Sequence, residues 1–324
     1  MSHSGGYLSR AGDPGASAIS WRNQAGRRKI DVMFAAVDLL TFSAELQSKW
    51  RRLEESLRLL GKALVAYSGG VDSAFLAWAA HSVSPGRVVA LLADSPSLAR
   101  TQKREAISFC EQNGIPLEII STAEMERPDY VRNDSMRCFH CKDELFIAVE
   151  RYRDEHGFQT VAYGINFDDQ GDYRPGQQAA QRHGVAAPLL EAGFTKQDIR
   201  DVARAAGLSV WDKPASACLA SRIEYGREVT PEALRQVEAG EDALRALGFK
   251  QMRVRHHGAI ARIEIARDEL ARALTLEMAA EFTRIFKQLG FKFVTLDLEG
   301  FRSGSMNAVL SVEALSGHPT APVR

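Results

Sequence analysis

Residues Ala63 to Leu76 read ALVAYSGGVDSAFL. Ala63 to Tyr67 form an apolar run with strand character, Ser68, Gly69, Gly70, Val71, Asp72 and Ser73 follow as a turn of small residues, and Ala74, Phe75 and Leu76 open a helix. Strand, glycine turn and helix is a geometry that cradles phosphate. Two successive glycines let the backbone approach an anion, the hydroxyls of Ser68 and Ser73 can donate to it, and the unpaired amides of a helix N-terminus favour negative charge. Asp72 is the unusual member, since a carboxylate beside phosphates makes sense where it orients the loop or helps to hold a cation. There is no Walker A sequence, and no lysine stands where it would reach a γ-phosphate. A tight turn that binds nothing would have to arise with five fixed positions, a coincidence of about one in a thousand chains of this length.

Working outward, apolar runs alternate with amphipathic helices. Thr41 onward is helical, with Leu46, Trp50, Leu53, Leu57 and Leu60 on one face and Gly61 as the stop. Strand-like runs stand at Ala63 to Tyr67, Val88 to Ala93, Leu117 to Ile120 and Thr160 to Ile165. This alternation predicts an α/β domain over 41–215 with a parallel sheet, which binds ligands at the carboxyl ends of its strands. A helix opens at Thr195 with Asp198 three residues on, a capping-box pattern. After Trp211 an irregular stretch of small residues leads to Thr230 and Pro231, which start a helix ending at Gly248. Strands at Met252 to His256, Ala261 to Ile265 and Lys292 to Leu298, with helical segments between Asp268 and Leu289, predict a smaller α+β domain over 216–310. Residues 1–40 and 311–324 lack a sustained period and are expected to be a disordered leader and tail.

Composition narrows the function classes. Lysine plus arginine equals aspartate plus glutamate at 41 each, so net charge gives no footprint for nucleic acid or an anionic membrane, and any anionic ligand must be held locally. No run approaches the roughly 18 apolar residues of a membrane span. Arg27, Arg28 and Lys29 ahead of Val32 to Phe42 imitate a signal peptide, but Asp31 and Asp38 interrupt the apolar stretch and no small-residue cleavage site follows. The four cysteines, Cys110, Cys138, Cys141 and Cys218, are too few for a disulfide scaffold and predict a reducing cytoplasm with metal-binding or catalytic thiols.

The glycine turn is similar to the SGGxDS signature of the PP-loop ATP pyrophosphatases, which adenylate their substrates and release pyrophosphate. Gly164, Asn166, Asp168, Asp169, Asp172, Arg174, Pro175 and Gly176, then Trp211 to Pro214 and the run Ala217 to Arg222, resemble the LarE family within that superfamily. The similarity runs from about Thr41 to Leu310. It implies a sulfur transferase that uses ATP and Mg2+ to activate the carboxylates of a pyridinium biscarboxylate mononucleotide and turn them into thiocarboxylates of the nickel-pincer nucleotide. It also implies a homo-oligomer, with a hexamer among the assemblies to be considered, and nucleotide contacts through Ser68, Gly69, Gly70, Asp72, Ser73, Arg174, Arg253 and Arg255.

Cys218 is the candidate to deliver sulfur, since an adenylated carboxylate is an electrophile that a thiolate can attack. Lys213 and Arg222 are close in sequence and would favour the thiolate if the fold brings them near, with Arg222 the second catalytic candidate. A buried structural cysteine is the alternative. Cys138 and Cys141 form a CxxC at a helix start, a spacing that alone suits zinc, a redox disulfide or an iron–sulfur ligand pair. Cys110 lies on an apolar helical face and reads as core. Within the resemblance, Cys138, Cys141 and Cys218 look like the type in which three cysteines hold a [4Fe-4S] cluster carrying the transferred sulfur, rather than the type in which a lone cysteine gives up its own. Asp168, Asp169 and Asp172, beyond a strand end, are candidate Mg2+ ligands or a solvated capping loop. Arg253 and Arg255 alternate on a strand and share a face, which suits a phosphate or two carboxylates, or else is a solvated edge.

Other readings stay open. A tRNA thiolase would carry a basic surface or RNA-binding module, and an amide-forming ligase resembling GMP synthetase needs an ammonia source; neither is visible. A non-catalytic ATP sensor would have little use for three cysteines.

Overall fold

The computed structural model describes residues 41–170, 175–214 and 217–302. The expected leader and tail, Asp172 and Arg174 lie outside them.

The first helix, α1 (Ala44–Leu59), starts where the Ser43 hydroxyl accepts the amide of Leu46 and buries Leu46, Trp50, Leu53 and Leu57. Gly61, at φ +69°, reverses the chain into β1 (Ala63–Tyr67). Helix α2 (Val71–Val83) is buried on nearly every side, as its apolar run Ala74 to Ala80 demands. Trp50 and Phe194 pack on Phe75 with ring centroids 6.3 and 5.9 Å away. The strands β2 (Val88–Asp94), β3 (Leu117–Ser121) and β4 (Thr160–Tyr163) alternate with α3 (Arg100–Gln112) and α4 (Arg137–His156). All pairings are parallel, in the order β3-β2-β1-β4. The central position of β1 explains its unbroken apolar sequence.

The chain winds from β1 to β3 on one side and returns to place β4 on the other side of β1. That reversal opens a crevice at the carboxyl ends of β1 and β4. Strand β4 stops at Tyr163, two residues earlier than its apolar run suggests. Gly164 presses against the helix after β1, and Asn166 leaves the ladder to cap the turn Phe167–Asp169. Beyond lie α5 (Pro175–Arg182) and α6 (Lys196–Ala205), the latter with the expected capping box of Thr195 and Asp198.

A second, three-stranded sheet follows α7 (Pro231–Ala246). Strands β5 (Met252–His257) and β6 (Ile260–Ile265) are antiparallel, and β7 (Phe293–Leu296) joins β6 in parallel after α8 (Leu276–Gln288). Its core is Leu244, Phe249, Val254, Ile263, Phe282 and Phe286. The helical segments expected between Asp268 and Leu289 are present, a short one at Leu270–Ala273 and then α8, which the Thr275 hydroxyl caps. The chain is thus an α/β protein with a parallel sheet and a separate small C-terminal sheet domain. No helix among the described residues is long and apolar enough to cross a membrane.

Candidate active site at the carboxyl edge of the sheet

The turn after β1 is braced by its own serine hydroxyls. Gly69 has φ +74°, and the Ser73 hydroxyl accepts from the Ser68 amide (3.2 Å) and donates to the Gly70 carbonyl (3.1 Å). The two serine hydroxyls stand 3.0 Å apart and share a hydrogen bond. Gly70 is the N-cap of α2 and supplies no side-chain cap, so the first-turn amides have no side chain closing them off. Two lysines reach in from later in the chain. Lys196 Nζ pairs with Asp72 Oδ2 at 2.6 Å, and Lys213 Nζ donates to the Gly69 carbonyl at 3.0 Å while pairing with Glu105 at 2.9 Å. Asp72 Oδ1 is buried with no hydrogen-bond partner. A carboxylate with one oxygen neutralised and the other bare suits the outer shell of a phosphate-bound cation.

Asp168 and Asp169 stand beside this turn in capping roles. Asp168 Oδ2 accepts from the Lys196 amide (2.8 Å), and Asp169 Oδ2 accepts from the Asn166 amide (3.2 Å). These bonds fix the end of β4 against the start of α6. That arrangement sets the Lys196 side chain onto Asp72.

The cysteine segment lies along the same edge. The Leu219 amide donates to the Ser97 carbonyl (2.8 Å), three residues past the end of β2, and Cys218 is the N-cap of the short turn Leu219–Arg222. Cys141 and Cys218 pack with Tyr130, Leu219 and Ala220, whereas Cys138 is exposed. Burial, with Cys218 next in weight, pushes the Cys141 thiol up to about 12, and burial does the same for Cys110 inside the first core. Among the described residues, no three histidine, cysteine or acidic side chains stand close enough to hold a metal ion. The three thiols therefore share a neighbourhood without standing at ligand spacing.

Arg222 is engaged elsewhere than at the Cys218 sulfur. It is 1% exposed, donates to the carbonyls of Ala217 (2.6 Å) and Cys218 (3.0 Å), and pairs with Glu241 (2.9 Å). These contacts make it a positioning residue for the cysteine turn. Lys213 donates to the glycine turn after β1 instead. Arg137, from the other arm of the chain, is a buried cation beside the cysteines: burial alone would lower its guanidinium, but Cys218 and Cys138 outweigh this and hold it above its ordinary value. Neither Arg137 nor the buried Glu124, whose Oε1 lacks a partner, was singled out from the sequence. The adjacency of Arg137 to the CxxC was the available signal.

Arg253 and Arg255 share a face of β5, as alternation requires, but not a solvated one. Arg255 is 6% exposed and pairs with Glu264 (2.8 Å), itself fully buried. Arg253 lies over the Phe301 ring, and burial together with Arg222 and Arg255 pulls it down to about 10. Arg222, Arg253, Arg255 and Arg262 gather around Glu241 and Glu264, with Arg262 also paired to Asp297 (3.3 Å), a concentration of positive charge that suits an anion.

No family model matches the chain. It is 41% identical over 82% of its length to uncharacterized protein slr1717 of Synechocystis sp., covering 99% of that protein. It is 28% identical over 75% of its length to uncharacterized protein MJ0830 of Methanocaldococcus jannaschii, covering 91%. Against the pyridinium-3,5-bisthiocarboxylic acid mononucleotide synthase of Lactiplantibacillus plantarum it is 35% identical over 84% of its length, covering 99% of that enzyme. Identity of this extent, over most of both chains, places the chain in the LarE family of pyridinium-3,5-bisthiocarboxylic acid mononucleotide synthases.

Proposed function

We propose that this protein is an ATP-dependent sulfur transferase that adenylates the carboxylates of pyridinium-3,5-biscarboxylic acid mononucleotide and converts them to thiocarboxylates for the nickel-pincer nucleotide. The observation that carries this is the tethering of Cys218 to the end of β2, beside the glycine turn at the end of β1. ATP would bind with its phosphates on Ser68 to Ser73, with Mg2+ on phosphate oxygens and the bare oxygen of Asp72. A substrate carboxylate oxygen attacks the α-phosphorus, pyrophosphate leaves, and an acyl adenylate forms. Lys196 and Lys213 lie where they would offset the growing phosphate charge. A sulfur nucleophile then adds to the carbonyl carbon, and AMP departs with the bonding electrons. Arg253 and Arg255 would hold the substrate phosphate.

Three of the four free cysteines, Cys138, Cys141 and Cys218, suit a [4Fe-4S] cluster in kind and would be its ligands. Such a cluster would supply sulfide to the activated carbonyl carbon. Asp168 would shape the Mg2+ side of the site through Lys196, and Asp169 by holding the turn after β4. The working enzyme would be a homo-oligomer in the cytoplasm, acting on a small molecule rather than on nucleic acid.

The test is incubation with ATP, Mg2+ and the biscarboxylate mononucleotide, with mass analysis of both protein and small molecule. Thiocarboxylate product with AMP and pyrophosphate is expected, together with iron–sulfur absorbance under anaerobic purification that is lost in Cys138→Ala. A colourless, active protein whose Cys218 loses the mass of hydrogen sulfide would point to sacrifice of its own sulfur. Absence of product and of acceptor-dependent pyrophosphate would overturn the assignment.

A further inference from the structure

Arg137 is the first residue of α4, directly before Cys138, and is 4% exposed. Arginine is almost never buried to this degree without fixed partners. Here its guanidinium donates to Asn133 Oδ1 and to the carbonyl of Ala220 (3.1 Å), and it lies 5.3 Å from the centre of the Tyr225 ring. Ala220 belongs to the turn that follows Cys218. A single side chain therefore connects the helix of the CxxC to the segment of the third cysteine, 80 residues later.

Asn133 completes the connection. It is wholly buried and adopts φ +60°, a conformation that is uncommon for a residue other than glycine. In that pose its Nδ2 donates to the carbonyls of Glu224 and Arg227, both at 2.9 Å, while its own carbonyl accepts from the Gly226 amide at 3.0 Å. The Val229 amide bonds to the Val131 carbonyl (2.9 Å) alongside. The stretch from Ala220 to Val229 is thereby stitched to the short run that leads into the CxxC helix. On its other side the cysteine turn is held by Arg222, which answers to Glu241 and the second sheet. The turn is thus held from one side by Arg137 and from the other by the pairing of its own Arg222 with Glu241.

We propose that Arg137 is the positioning residue that holds the Cys218 turn against the Cys138–Cys141 turn. The assignment rests on the three cysteines acting together, as in the function proposed above. Arginine suits the task where lysine does not, because its planar fork serves two acceptors at once and its face lies on an aromatic ring. Its permanent charge is also in place for anionic sulfur on either side of it.

The experiment uses the full-length, reduced, metal-free protein and bifunctional thiol reagents of graded span, beginning with dibromobimane, followed by peptide mass mapping. In wild type, short reagents should bridge Cys218 to Cys138 or Cys141. The Cys138 to Cys141 bridge, made within one helical turn, is the internal reference. In Arg137→Lys and Arg137→Gln the yield of Cys218 bridges relative to that reference should fall by about tenfold, the scale set by one charge-assisted hydrogen bond. A global loss of stability would not change this ratio in the folded fraction. Arg137→Lys, which keeps the charge and stem, decides the question if Arg137→Gln does not fold. Wild-type bridge ratios in a folded Arg137→Lys, or no Cys218 bridge in wild type with any reagent, would overturn the proposal. Bridging needs neither ATP nor acceptor, so an Arg137-dependent bridge in a protein that never transfers sulfur would sink the proposed function and leave this placement standing.

Discussion

Substituting Gly164 by alanine tests whether the end of β4 sets the shape of the nucleotide turn. A Cβ at Gly164 would lie 2.7 Å from the Ser73 amide nitrogen and 2.8 Å from both Asp72 C and Ser73 Cα. All three atoms are backbone, in the first turn of α2, and none can rotate away. Reaching ordinary contact at 3.4 Å requires a retreat of about 0.7 Å by one side or the other. Overpacking of this kind costs about 1–3 kcal/mol in stability. The larger effect should be on chemistry, because a displacement approaching 1 Å at a site that orients phosphates can cost about a hundredfold. We expect Gly164→Ala to fold, to melt several degrees lower, and to lose about ten- to hundredfold in kcat/KM for ATP, measured as acceptor-dependent pyrophosphate release. Gly114→Ala is the control. Gly114 has φ +64° with open space around its would-be Cβ, so alanine there should cost only about 1 kcal/mol of left-handed strain and leave ATP turnover unchanged. A stable Gly164→Ala with wild-type ATP kinetics would refute the idea that β4 braces the turn.

Three further outcomes follow from charged pairs. Arg222→Met strands Glu241, which is 6% exposed, and should lower the unfolding free energy by about 3–5 kcal/mol in denaturant titration, with Arg222→Met/Glu241→Leu recovering much of the loss. Lys196→Gln removes the partner of Asp72 and should weaken ATP binding by about tenfold or more in calorimetry, with little change in melting temperature. Asp198 would be raised by burial, but the hydrogen bonds from Lys49 and Thr195 outweigh that and hold its carboxyl below the ordinary 3.8. A folded value below the unfolded one means its contribution is present above pH 3.8 and disappears as pH falls through the lower, folded value. Asp198→Asn should therefore flatten the acid limb of a stability-against-pH curve, and an unchanged limb would show that other carboxylates govern it.

Much of the first sheet is legible because its signals are local. The apolar run of β1, the capping box of Thr195 and Asp198 and the start at Thr230 and Pro231 each depend on residues within four positions of one another. The partners of the site are not local. Lys196 meets Asp72 across 124 positions, and Lys213 meets Gly69 across 144. Proximity in sequence pointed to Lys213 and Arg222 as the cations beside Cys218, yet both side chains turn to other acceptors. Arg222 does so because a buried guanidinium needs its donors satisfied, and Glu241 with the carbonyls of its own turn can satisfy them. Arg253 and Arg255 show the converse limit: alternation fixed their common face, but only the fold reveals that Glu264 and Arg222 turn that face into an interior.

The two halves of the proposed chemistry are linked by bonds whose lengths can be bounded. From Lys213 to Cys218 are five residues, a span of at most about 18 Å even when fully extended. Lys213 begins that span with its Nζ on the Gly69 carbonyl of the nucleotide turn. Its far end is held independently: the Leu219 amide is on Ser97, three residues and at most about 11 Å past the end of β2, which neighbours β1. A cysteine restrained from both directions cannot swing to the far side of the molecule without breaking one tether. The second sheet, through Arg222, has a hold on the same turn. Movement of that sheet on binding an anion at Arg253 and Arg255 would therefore be felt at Cys218.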